Sequence, residues 1–159
     1  MAIYATNGAK LFIGGSMTVD GDDLTVTDFD GETWVEVGET ENLGKFGDTS
    51  NEITFAGLAS GRQRRLKGVR DAGTMEVICG IDYADPGQLA LISAEKTIFD
   101  YAFKVVLNDA PEGGTPSERY FAAAVGSASE ALDTADNVMK LNSTLWINSN
   151  VVRVNAAEA

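Results

Sequence analysis

Five of the chain's twelve basic residues, Arg62, Arg64, Arg65, Lys67 and Arg70, fall within nine positions of the segment GLASGRQRRLKGVRDAGTM (57–75). Cations gathered in this way bind phosphate, so nucleic-acid contact is the first chemistry they suggest. Two features oppose it. No aromatic residue is interleaved with the arginines to stack on bases. The chain also carries a formal charge of −12, which repels a polyanion over a Debye length of roughly 8 Å at physiological salt. A basic segment on an acidic body is complementary instead to the body of another copy, and head-to-tail association is steered by such a pairing. Self-association is therefore the favoured reading, with a solvated loop and a nucleic-acid contact as its alternatives.

The acidic pairs VDGDD (19–23) and DFDGE (28–32) could serve calcium. An EF-hand loop, however, needs glycine at its sixth position and glutamate at its twelfth, and Gly31 arrives too early for that. Asp-Gly is also a strong hairpin-turn signal. Turns are expected at both places. A calcium-dependent surface- or carbohydrate-binding β-sandwich, using acids near Asp22 and Asp30, is the alternative.

Other site chemistry finds little support. Histidine is absent, which removes the commonest general base and the commonest metal ligand. The single cysteine, Cys79, cannot form an internal disulfide or assemble a zinc or iron–sulfur site, and it fits a reducing cytosol. It sits in an apolar run where a buried, inert thiol is expected. No GxSxG, GxxxxGKS or HExxH motif occurs, and nothing selects a catalytic pair from twenty-four acids. No catalytic residue, metal site or cofactor is expected. The opening MAIYATNGAKLFIGG lacks a basic leader before an apolar block, so no signal peptide is expected. No apolar run approaches the ~20 residues of a membrane span.

The elements that must position these residues show a period of two. TMEVICGID places Met75, Val77, Cys79 and Ile81 on one face. FDYAFKVVL places Phe99, Tyr101, Phe103, Val105 and Leu107 together, with Asp100 and Lys104 opposite. NVMKLNSTLWIN sets Met139, Leu141, Leu145 and Ile147 against Lys140, Asn142, Thr144 and Asn148. Such alternation marks half-buried strands. AKLFIGG, DLTVTDF, TWVEV and RYFAAAV are shorter candidates. One segment breaks the pattern: DPGQLALISAEKT offers Asp85 as cap, Pro86 at the first helical position and Gln88 three residues after the cap, predicting a short helix over 86–96. Residues 109–118 are a polar loop. Residues 39–73 run acidic, glycine-spaced and then basic, with only ITFAG resembling a strand, and are expected to form a long functional arm or loop. The fold class is mainly β (α+β), in one domain spanning 1–159.

This succession of elements resembles the major tail tube proteins of long-tailed, siphovirus-type bacteriophages, within the fold superfamily shared with contractile-tail tubes and the type VI secretion tube. The resemblance spans most of the chain. It runs from TWVEVGET through the long loop GDTSNEITFAGLASGRQRRLKGVRDAG to MEVICGID and the helix signal DPGQLALISA. It then continues through DYAFKVVLND, RYFAAAVGSASEAL and NVMKLNSTLWIN. It implies a β-sandwich- or barrel-like domain with one flanking helix, and a structural role in the virion tail after synthesis in the host cytoplasm. Six copies would form a ring, and stacked rings a hollow tube through which DNA passes without specific binding. Other tail proteins would meet the tube at its ends, and this chain would not insert into a membrane. The long loop would reach the adjoining ring through Arg62, Arg64, Arg65, Lys67 and Arg70. The lumen would be electronegative, with Asp100, Lys104, Lys140, Asn142 and Thr144 as candidates for its lining. Some relatives carry an added immunoglobulin-like domain, for which this length leaves no room.

Overall fold

The alternating runs become strands of one large antiparallel sheet. The computed structural model describes residues 3–21 and 23–158. Its strands are β1 (Lys10–Met17), β2 (Val35–Val37), β3 (Thr40–Asn42), β4 (Thr49–Ala56) and β5 (Gln63–Asp71). After these come β6 (Thr74–Gly80), β7 (Asp100–Val106), β8 (Glu118–Ala131), β9 (Lys140–Ile147) and β10 (Val152–Val154). The large sheet runs β2-β1-β7-β8-β9-β6-β3, with β10 also paired to β8.

The two edges of this sheet, β2 and β3, are consecutive in the chain and separated only by Gly38 and Glu39. The sheet therefore curls into a nearly closed barrel, which leaves few unpaired strand edges. The inward faces supply one core: Leu11 and Ile13 from β1, Met75, Val77 and Cys79 from β6, Phe103 and Val105 from β7, Phe121 from β8 and Leu145 from β9. Phe103 and Phe121 stack with ring centres 5.7 Å apart. Full burial of such side chains stabilises the fold by about 1.5–3 kcal/mol each.

The helix α1 (Pro86–Glu95) forms where its capping residues predict. Asp85 Oδ2 accepts the Gln88 N–H at 3.0 Å, and Lys96 is the C-cap. The same Asp85 oxygen accepts the Gly38 N–H at 3.0 Å, so the cap also anchors the end of β2. Leu91 and Ala94 face the core, and the helix packs on β8, β2 and β1.

The sequence reading changes in two places. DLTVTDF is not a strand. Its Val26–Phe29 form a 3₁₀ turn, because the Thr25 N–H donates to Asp28 Oδ2 at 2.7 Å and tightens the chain locally. The segment 39–73 is more than a loop. It contains β3 and then a hairpin, β4–β5, whose strands pair with each other and with no strand of the barrel. Both hairpin strands are exposed almost throughout, so no core face imposed the apolar alternation from which strands are read.

The 3₁₀ segment also alters the outer wall. It packs on β8 through Phe29, and Leu24, just before it, exchanges hydrogen bonds with the Asn150 side chain at 2.7 and 3.1 Å. Phe29, the segment's last residue, is buried, and Tyr120 packs against both Phe29 and Trp34. The second face of β7 is accordingly covered at Ala102, while Asp100 and Lys104 on the same face stay partly exposed.

Candidate functional site: an arm at one end of the barrel

The residues singled out by charge all lie on the hairpin arm. The antiparallel register sets Ile53 opposite Leu66, Phe55 opposite Arg64, and Glu52 opposite Lys67. Directly opposed residues share a face, so the arm has two different sides. One carries Ile53, Phe55 and Leu66 with Arg64. These three apolar side chains are 50%, 59% and 61% exposed. The other side carries Glu52, Arg65 and Lys67, and Arg65 Nε meets Glu52 Oε1 at 2.8 Å. Leu58 stands fully exposed at the tip.

Two of the five cations are thus neutralised within the arm: Arg65 by Glu52, and Arg70 by Asp48 at 2.5 Å. Exposed pairs of this kind are worth about 0–1 kcal/mol. Among the described residues, Arg62, Arg64 and Lys67 make no ion pair. The charge reading singled out this segment without its apolar side. The signal for it was ITF set against RRL, legible only once the two strands are placed in register.

The arm is rooted firmly. Phe46 packs on Phe121 with ring centres 5.7 Å apart, and Ala72 is buried in the core. Gly73, at φ +81°, is fixed in the turn by its N–H, which donates to Asp71 Oδ1 at 2.8 Å. A polar cavity of about 370 Å³ at this root is lined by Asp23, Asp48, Arg70, Asp71, Asn148 and Ser149.

The five lumen candidates separate. Lys140, Asn142 and Thr144 share the outward face of β9. Lys140 is held by Glu41 at 2.8 Å. Asn142 keeps a buried Oδ1 without a partner among the described residues. Glu76 lies opposite Thr144 on this face and had not been singled out. Asp100 accepts from Asn148 Nδ2 at 2.7 Å. Lys104 is half-buried, its Nζ 4.6 Å from the centre of the Phe12 ring and 5.2 Å from that of Trp34. It supplies a cation to aromatic faces there, an interaction worth about 0.5–1 kcal/mol at exposed sites.

At the acidic turns, Gly21 and Gly31 adopt φ of +90° and +82°, as tight turns require. Asp22 lies outside the described residues. Among the described residues, no three acidic, cysteine or histidine side chains gather in a way that could hold a metal.

The fold recurs in solved structures. A subunit of the SPP1 tail tube superposes with a TM-score of 0.64 over 94% of this chain and 78% of its own, at 15% identity. A chain of the anti-feeding prophage baseplate reaches 0.69 over 98% of both chains, at 12% identity. The chain has the tail-tube fold. A chain of the sheath/tube terminator of the PVC extracellular contractile injection system carries the same fold, at a TM-score of 0.61 and 12% identity over 96% of both chains. No family model and no curated protein sequence matches this chain.

Proposed function

We propose that this protein is the structural subunit of a hollow tail tube, assembling into rings that stack and conduct DNA in a virion tail. The observation that carries this reading is the arm: a rooted hairpin that projects from the barrel and leaves an apolar side uncovered. An isolated subunit gains nothing by exposing Ile53, Phe55 and Leu66 together, whereas a stacked assembly would bury them. The tail-tube fold of the compared assemblies supports the same role. The role is structural, without catalysis or cofactor, and other tail proteins would meet the tube at its ends.

Ring number is six in this proposal. The outward face of β9 and β6, bearing Asn142, Thr144, Lys140 and Glu76, is assigned to the lumen together with Asp100. Glu41 offsets Lys140, which keeps that wall net negative. DNA then stays mobile, since no cationic lining releases counterions to hold it.

Purified protein examined by electron microscopy and light scattering across concentrations tests the reading. Concentration-dependent tubes, indifferent to chelator, are expected. A monomer at every concentration that gains thermal stability with calcium would replace it by the calcium-binding module. A gel shift at ~50 mM salt should show no binding of double-stranded DNA. Micromolar affinity that falls steeply with salt would make the arginine segment a DNA site.

A further inference from the structure

The geometry points to the receptor for the arm: a cleft between α1 and the β8–β9 end of a second copy, which takes the arm's apolar side. This rests on the tube reading above and names the surface it uses.

Arm and cleft lie at opposite ends of the barrel. The arm leaves from the Thr74 end of β6, where the Ile147 N–H donates to Gly73 O at 3.1 Å. The cleft lies past the Gly80 end, where the Ile81 N–H donates to Met139 O at 3.1 Å. Six residue steps along β6 separate the two ends, about 20 Å at ~3.3 Å per residue. A subunit's own arm projects away from its own cleft. Complementary surfaces at opposite ends make a heterologous contact, which repeats head to tail without closing on itself.

The cleft, of about 100 Å³, is lined by Tyr83, Leu89, Ile92 and Leu141 together with Asp82 and Glu130. Tyr83 and Leu89 are exposed in the subunit. Asp82 and Glu130 are also exposed and make no ion pair among the described residues. The arm's apolar side has the matching composition. Phe55 and Leu66 offer apolar surface, and Arg64, across from Phe55, offers a cation without an ion pair among the described residues.

Charge decides in favour of a second copy as occupant. Residues 48–71 hold five basic and three acidic residues, while the rest of the chain holds seven and twenty-one. Arm-to-body contact is attractive and body-to-body contact repulsive, so the arm selects this orientation. Arg64 then meets Asp82 or Glu130 while Phe55 and Leu66 enter the cleft.

Disulfide trapping tests this without ambiguity, because the natural thiol, Cys79, is buried. Phe55→Cys and Leu89→Cys proteins, mixed and allowed to assemble, should form a covalent dimer on oxidation. Phe55→Cys mixed with Val26→Cys, an exposed site on the outer wall, should not. Tubes that cross-link at Val26→Cys, or at neither position, would overturn the cleft as receptor and leave the tube reading standing. Absence of tubes from the unaltered protein at every concentration would overturn both. Charge reversal gives a second readout. Arg64→Glu should raise the concentration at which tubes appear several-fold, and Asp82→Arg with Glu130→Arg should restore assembly with that partner. Lack of restoration, with circular dichroism unchanged, would overturn the pairing.

Discussion

Gln88 donates from Nε2 to the Gly38 carbonyl oxygen at 3.0 Å, joining the helix to the point where the barrel's two edges meet. The same nitrogen reaches the Gly80 carbonyl at 2.8 Å, and Oε1 accepts the Asp82 N–H at 3.0 Å. The side chain is 2% exposed. One residue thus ties β2, the end of β6 and α1 across the barrel seam. Replacing it with an apolar residue leaves those backbone groups unpaired. Gln88→Leu is expected to lower stability by about 2–4 kcal/mol, since each buried group left unmade costs ~1–3 kcal/mol. Urea unfolding checks this, with an unchanged denaturant slope as the sign that the fold itself persists.

Gly87 tests the same seam from the backbone side. A Cβ there would collide with the Glu36 carbonyl oxygen and the Val37 Cα. In an open helix, Gly→Ala adds up to about 1 kcal/mol of stability. Here Gly87→Ala should destabilise by about 1–3 kcal/mol, because overpacking forces the helix off β2. Thermal unfolding would show the sign.

Cys79 should be unreactive in the native protein. Burial, with a lesser contribution from the Asp85 charge, pushes its thiol up from 9.0 to about 11. Thiol reagents at pH 8 should label it only on unfolding. The folded state holds this proton where the unfolded state has lost it, so stability should fall as pH rises from 9 towards 11. Cys79→Ala should remove that part of the pH dependence.

Reversal of both Arg64 and Arg65 to glutamate should leave the domain folded and weaken assembly. On one side of the arm Arg64, without an ion pair among the described residues, becomes an anion. On the other, the Arg65–Glu52 pair becomes a repulsion. Each loss is small, under ~1 kcal/mol at an exposed site, but a stack repeats it at every subunit. Unchanged circular dichroism with impaired tube formation is the expected combination, and unchanged tubes would remove these residues from the contact.

Hydrogen exchange should distinguish arm from barrel. Among the described residues β4 and β5 pair with no other strand and have little buried apolar cover, so their backbone amides should exchange faster in the subunit than those of β6 or β9. Assembly should protect them.

The barrel was legible wherever burial imposes a local period. Met75, Val77 and Cys79 alternate because β6 has one inward face, and the Asp85–Pro86–Gln88 succession announces a helix because capping is a matter of neighbouring residues. The basic segment, too, was visible as composition. Its hairpin form was not, because strands exposed on both sides need no apolar alternation, and only the pairing of Ile53 with Leu66 and Phe55 with Arg64 creates an apolar side. Nor could spacing show that Lys104 lies against Phe12 and Trp34, which are 92 and 70 residues away in the chain, or that Gln88 serves Gly38. Those relations arise from the curl of the sheet, which brings distant segments into contact after local preferences have been satisfied.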